Sequence, residues 1–331
     1  MATQARRNFI KKISCAGVGT LIPGLGSSGY NFSWSQKNDK RVGIVGMDTS
    51  HSPYLVRGIN TSNSGYRVTA AYTSVSNDLP ASHSRVGQFS KQIKSMGVEI
   101  TDSLGELLNK VDYVLLCTVD GRLHKEQAEI ILKAGKRVFI DKPMAISLVE
   151  VIEIFEFAQK LNIPIFSSSA VRFMKTAQEV RDGAIGNVTG AQVYAPIIYE
   201  PTHPSMYWYG IHGAELLYTV MGNGCEKVKC FTSEKHHFII GDWGHGRIGT
   251  YNGLKNGMQK YGGQVFGDKG VSYLGDFENL SPLTDKILEF FETGEVPVDP
   301  SETIELFAFL DAAQKSEKTG TWVSLKEVWG Q

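Results

Sequence analysis

From Arg41 onward, apolar and polar positions follow a repeating strand–helix rhythm. Short apolar runs bounded by turn residues predict strands over 41–45, 67–72, 112–116, 137–140 and 164–166. Helical spacing lies between them, for example over 125–134 and 148–161. In the first of these helices Ala128, Ile131 and Leu132 share one face, with Lys125 and Glu126 on the other. The run Val-Asp-Tyr-Val-Leu-Leu-Cys is nearly all apolar, as a parallel strand covered on both faces should be. Strands alternating with helices imply right-handed βαβ units and a doubly wound parallel sheet. After about Ala170 the texture changes. Strand-like runs over 190–198, 227–232, 236–242, 247–251, 263–266 and 270–273 follow one another with turns between, which predicts an open, mostly antiparallel sheet. One helix over 211–221 interrupts them, and two more, over 283–293 and 302–315, close the chain.

The chain has 331 residues, enough for two domains with well-buried cores. Its formal net charge of zero argues against a general nucleic-acid binder, which would carry a basic patch. The four cysteines, Cys15, Cys117, Cys225 and Cys230, form no C-x-x-C pair, so no structural zinc is expected. Cys225 and Cys230 read as buried free thiols rather than a disulfide. The cluster Glu200, His203, His212 and Glu215 matches no standard ligand spacing, and no metal is expected.

The N-terminal stretch ARRNFIKKISCAGVGTLIPG changes the picture of location. Arg6-Arg7 followed by Phe9-Ile10-Lys11 resembles a twin-arginine export signal. The apolar stretch after it is too short and too glycine-rich to span a membrane. Residues 1–36 are therefore read as export signal and linker, and the protein as periplasmic or otherwise exported.

The first strand runs into Gly43 and Gly46, then Asp48, Thr49, Ser50 and His51. A strand ending in glycine before a helix opens a dinucleotide-binding fold, whose fingerprint is G-x-G-x-x-G. Gly46 keeps the first glycine's task of turning the chain. Asp48 and His51 stand where the second and third glycines would be. Asp, Ser and Thr are preferred N-cap residues, so one of Asp48, Thr49 and Ser50 is expected to cap the helix while the others receive phosphate. His51 implies looser helix–strand packing than glycine would give.

Four pieces in order, RVGIVG, LLCTVDGRLHKEQAEIILKAGKRVFIDKPMA, SSSAVRF and YGIHGAELLYTVMG, resemble one family. It is the Gfo/Idh/MocA oxidoreductases, the glucose–fructose oxidoreductase and inositol dehydrogenase superfamily. The resemblance runs from Arg41 to the C-terminal end. It implies a Rossmann domain over 40–165 and a substrate-binding and oligomerisation α/β domain over 166–331. It also implies NAD or NADP, a carbohydrate or polyol substrate, and a homo-oligomer. Export of the folded protein implies that the cofactor is tightly bound. No nucleic acid and no membrane beyond export is expected.

Residue by residue, Lys142 matches the lysine of an E-K-P motif and can stabilise an alkoxide. The resemblance implies that the bond to Pro143 is often cis. His212 matches the family's catalytic-helix histidine, suited to take a hydroxyl proton. Glu215 shares its helical face and Tyr209 supports it. Cofactor contacts are implied at Gly43, Gly46, Asp48, Thr49, Ser50, His51, Thr73, Ser74, Cys117, Thr118, Val119, His124, Asp141, Lys142, Pro143 and Arg172. Thr73-Ser74 puts no acid at the end of the second strand, which tilts the cofactor toward NADP. One departure stands out: Trp208 occupies the place where the family often has Asp, four residues before the histidine. Trp208, Tyr207 and Tyr209 could stack on a sugar or fill a core. His203 is expected at the pocket mouth. The leading reading is an NAD(P)-dependent sugar or polyol oxidoreductase. A redox-neutral NAD-dependent glycoside hydrolase or lyase on the same fold is an alternative, and a non-catalytic carbohydrate-binding protein is another.

Overall fold

A computed structural model describes residues 40–256 and 260–329. The twin-arginine segment and its linker lie outside the described residues. The first unit is a six-stranded parallel sheet in the order β3-β2-β1-β4-β5-β6. Its strands are β1 (Lys40–Val45), β2 (Tyr66–Tyr72), β3 (Glu99–Thr101), β4 (Tyr113–Leu116), β5 (Arg137–Asp141) and β6 (Ile165–Ser168). The strand β3 is absent from the sequence reading, because three residues are too few to show a period.

Five helices of this unit follow in the order α1 (His51–Thr61), α2 (Pro80–His83), α3 (Val86–Ser95), α4 (Leu104–Lys110) and α5 (His124–Lys133). A sixth, α6 (Leu148–Lys160), is started by Ser147, whose side chain accepts from the Glu150 N–H. The sheet strands are buried on both faces, which is why they read as apolar runs rather than alternating ones.

The second sheet has seven strands in the order β12-β11-β7-β10-β9-β8-β13. They are β7 (Val188–Pro196), β8 (Lys227–Thr232), β9 (His236–Asp242), β10 (Ile248–Leu254), β11 (Gly262–Gly267), β12 (Val271–Leu274) and β13 (Val323–Ser324). All pairs are antiparallel except β7 with β10. After α7 (Lys175–Arg181) comes α8 (Gly210–Met221), which is buried along its whole length against β7 and β10. Gly213 permits that contact: a Cβ there would lie 2.2 Å from the Tyr251 ring. One sheet face thus packs under α8 and α10 (Pro300–Thr319), while the other carries exposed Tyr194, Phe238 and Ile248. His237 is buried and His236 exposed, as strand alternation requires. Cys225 and Cys230 are buried free thiols.

The chain order hides one connection. α9 (Ser281–Thr293) follows the second sheet in sequence but packs on the first. Phe290 and Phe291 meet Phe166 and Tyr113 at ring separations of 4.9 Å. The last helix, α11 (Leu325–Val328), is closed by a capping box between Ser324 and Glu327.

Gly46 fixes the turn from β1 into α1. Its φ is +88°, and a Cβ would lie 2.3 Å from the Thr118 nitrogen. Both the left-handed backbone and the backbone contact exclude a side chain. Gly46→Ala is expected to cost roughly 1–3 kcal/mol from the conformation alone, with the clash added. Urea unfolding measures this, and an unchanged midpoint would show that the turn can relax.

Candidate active site

A cavity of about 180 Å³ lies where the carboxyl ends of the parallel strands meet the start of α8. This is the edge at which open α/β sheets bind ligands. Thr49, Ser50 and His51 line it from the start of α1, and Lys142 from the end of β5. Ser169 lines it from the segment after β6, and Trp208, Tyr209 and His212 from the entry to α8. Arg85, Tyr261 and Phe277 complete it from three separate loops. Tyr261 was not visible to sequence reading, because a glycine-rich loop gives no periodic signal.

Lys142 is the cation of this cavity with the least compensation. No hydrogen bond or ion pair to its ammonium is found among the described residues. It sits over two aromatic faces instead, 5.4 Å from the Tyr209 centroid and 5.9 Å from Trp208. Burial pushes its pKa down, aided by Arg85, while Asp141 pulls it up, and the net direction is downward. The peptide bond from Lys142 to Pro143 is cis.

His212 is buried, with Nδ1 2.6 Å from the Ser169 hydroxyl and its ring edge-on to Tyr209 and Tyr261. Burial drives it well below the ordinary imidazole range, with the Lys142 ammonium adding repulsion. A neutral imidazole at neutral pH follows. His51 makes a different contact: Nδ1 lies 2.7 Å from Asp141 Oδ2. Burial alone would raise Asp141, but His51 and Lys142 outweigh it and hold the carboxylate ionised. His51 therefore projects across the strand ends and bonds on β5, rather than loosening α1 against β1. Ser52 ties the helix start down by donating to the Gly46 carbonyl at 2.8 Å.

The three expected cap residues are used otherwise. Asp48 is fully buried; it accepts from the Ser82 hydroxyl at 2.6 Å and from the Val119 N–H at 3.0 Å. Burial raises its pKa against those two bonds. Its carboxylate faces α2 and the loop after β4, so it does not cap α1. Ser50 makes no side-chain cap bond, and Thr49 makes a long one, 3.4 Å from the His51 N–H.

Around Asp48 a second set of bonds fastens the segment after β2 to the loop after β4. Ser76 donates to Asp120 at 2.5 Å, and Arg122 holds both Asp120 and Asp78. Thr118 donates to Gln127, which donates to Ser74. Leu79 packs with Val119 and Trp208. Thr73 is half-buried beside this strap. His203 is not at the mouth; it is buried against Trp208, 3.4 Å from Asp120.

Several expected site residues lie outside the cavity. The Glu215 carboxylate bonds Ser168 at 2.8 Å and Arg172 at 2.5 Å, which turns it away from His212's open side. Arg172 is buried between Glu215 and Glu302 and forms a core ion-pair cluster with them. His124 is buried between the Thr118 and Pro143 carbonyls, at 2.7 and 2.9 Å, and joins the two strand ends from behind. Cys117 is fully buried, and Gly43 packs against Leu107, so neither reaches the cavity. Tyr207 is core; its hydroxyl donates to Asp311 at 2.6 Å.

Residues 40–168 match the profile of the Gfo/Idh/MocA family, described as an oxidoreductase family with an NAD-binding Rossmann fold. The matched stretch is the first sheet unit, less than half of the chain. A curated relative, an uncharacterised oxidoreductase of Streptococcus pneumoniae, is 26% identical over 120 residues. That match covers 35% of this chain and 32% of the relative, about a third of its length. Among solved structures, a probable dehydrogenase from Thermotoga maritima superposes with TM-score 0.73 at 18% identity, covering 87% of this chain and 99% of that one. The scyllo-inositol dehydrogenase of Lactobacillus casei, with NAD(H) and scyllo-inositol bound, gives TM-score 0.73 at 14% identity over 87% of this chain and all of that one (100%). At such identities the likeness establishes the two-domain fold.

In the segment that matches this profile, the end of β1 and the start of α1 fit an anionic cofactor. The α1 turn is intact, Ser50 does not cap it, and Asp48 is turned away. Thr49, Ser50, Arg85 and Lys142 face the same space. The enclosed volume suits one small ring, below the 300–1,000 Å³ of ordinary ligand pockets.

Proposed function

We propose that this protein oxidises a sugar or polyol hydroxyl with NAD or NADP as hydride acceptor. One observation carries the reading. An under-compensated lysine and the open side of a neutral histidine face one small cavity floored by Trp208 and Tyr209. Lys142 stabilises the oxygen as its proton leaves, and His212 exchanges that proton or holds the hydroxyl in place. The aromatic floor suits the apolar face of a sugar ring. The nicotinamide, when bound, takes the hydride. Thr73 and Ser74 place no carboxylate against a 2′-phosphate, which supports NADP. The solved relative that binds scyllo-inositol supports a polyol.

The exposed Tyr194, Phe238 and Ile248 on the open sheet face support a homo-oligomer built on that face. The Arg6-Arg7 segment supports export of the folded protein with its cofactor already loaded.

Absorbance of the purified native protein for bound nicotinamide, followed by incubation with NAD(P)⁺ and a panel of inositols and aldoses, tests the reading. Reduced cofactor with a keto product is expected. Sugar release from glycosides without net cofactor turnover would move the reading to redox-neutral cleavage. A protein that neither carries nor binds nicotinamide would leave a carbohydrate-binding role.

A further inference from the structure

We propose that His51, backed by Asp141, is a second acid–base group of this cavity and exchanges a proton with a substrate hydroxyl through Nε2. The geometry sets the roles of the two ring nitrogens. An ionised carboxylate can only accept, so the 2.7 Å contact puts the proton on Nδ1. Nε2 is left with its lone pair, it has no hydrogen-bond partner among the described residues, and the ring lines the cavity. Asp141 is a buried carboxylate whose other oxygen, Oδ1, is also buried and has no partner among the described residues. Such a carboxylate is costly to leave alone and is best compensated by a positive charge beside it. An imidazolium at His51 supplies that charge when the proton arrives.

His212 lacks this support. Its Nδ1 meets a serine hydroxyl, which can orient the ring but brings no negative charge. The groups that face His51 are Asp141 and Lys142 from β5 and its end, His212 from α8, and Arg85 from the segment before α3.

The step balances simply. The substrate O–H bond breaks, an N–H bond forms at His51 Nε2, and the electron pair stays on oxygen beside the Lys142 ammonium. The carbinol C–H pair leaves as hydride to a nicotinamide dinucleotide. The inference rests on the proposed function for that hydride acceptor, but the protonation pattern of the dyad does not.

The first experiment reads the protonation pattern from the protein alone. Long-range ¹H–¹⁵N spectra of the histidines in the full chain are expected to show His51 with its proton on Nδ1 and an unprotonated Nε2. Asp141→Asn should abolish that preference. A His51 protonated on Nε2 at neutral pH would overturn the proposal. The second experiment is kinetic, with NAD(P)⁺ and whichever inositol is oxidised. His51→Gln should lower kcat about 10²-fold or more. It should leave the cofactor Kd within about threefold, as expected of a residue that acts on the proton rather than on uniform binding. A lower Tm with turnover unchanged would make His51 a structural latch and overturn the proposal. If no polyol is oxidised, the proposed function fails, while the spectra still decide the dyad.

Discussion

Lys142→Met is expected to lower kcat by about 10²–10³-fold, the loss seen when a preorganised stabiliser of a developing oxyanion is removed. The ammonium has no carboxylate or hydrogen-bond acceptor among the described residues; two aromatic faces hold it at 5.4 and 5.9 Å. Aromatic faces give a cation only about 0.5–2 kcal/mol, so an alkoxide would be a far better partner. The interaction is thus made mainly when negative charge develops, which is the condition for raising kcat. Lys142→Arg should not rescue, because a planar fork cannot replace a point charge in a cavity of about 180 Å³.

The pH dependence follows from the same burial. Activity needs the charged lysine, and its pKa is lowered by burial, so the alkaline limb should fall below the ordinary lysine range. His212 is held well below the ordinary imidazole range, so it should contribute no loss near pH 6.5, where an unperturbed histidine titrates. A kcat/KM profile measured on wild type and Lys142→Met checks both. Turnover within threefold of wild type in the methionine variant would remove Lys142 from the chemistry.

Arg172→Met should have the largest effect on stability, roughly 3–5 kcal/mol, the usual loss when one partner of a buried ion pair is removed. Arg172 joins Glu215 at 2.5 Å and also Glu302, and Arg181 reaches Glu302 at 2.9 Å. This cluster binds the segment after β6 to α8 and α10, so it fastens the two sheets' helices together. Methionine would strand Glu215 with only Ser168 as a donor. Urea unfolding of Arg172→Met beside Arg172→Met/Glu215→Gln tests this. The second variant removes the stranded charge and should recover part of the loss. Equal midpoints for wild type and Arg172→Met would show that the cluster contributes nothing.

Acid should weaken the same cluster. Burial alone would raise Glu302, but Arg172 and Arg181 outweigh it, and its folded pKa is depressed. Its contribution is therefore present above the unfolded carboxylate value and is lost as pH falls through the folded one.

How legible the site was differs by residue. Lys142 and His212 were legible because motif order along the chain placed both, and the structure brings both to one cavity. Glu215 was misplaced for a physical reason. Helical spacing puts it on His212's face, but its carboxylate has Arg172 within 2.5 Å, and a buried guanidinium outcompetes a cavity for it. Arg172 carried a family motif yet is core, because two buried carboxylates enclose it. Asp48 looked like a helix cap. It is not one, since Ser82 and the Val119 N–H, 34 and 71 residues away in sequence, claim both oxygens.

By itself the sequence determined the two-sheet architecture, the glycine turn at Gly46 and the positions of Lys142 and His212. Those rest on local periods and on motif order, which the chain carries directly. Only the tertiary structure decided which charges face the cavity and which face each other. It paired His51 with Asp141 across 90 positions of chain, and it returned Phe290 and Phe291 to the first sheet. Such pairings depend on where distant strand ends and helix faces meet after packing, and no local pattern encodes that meeting.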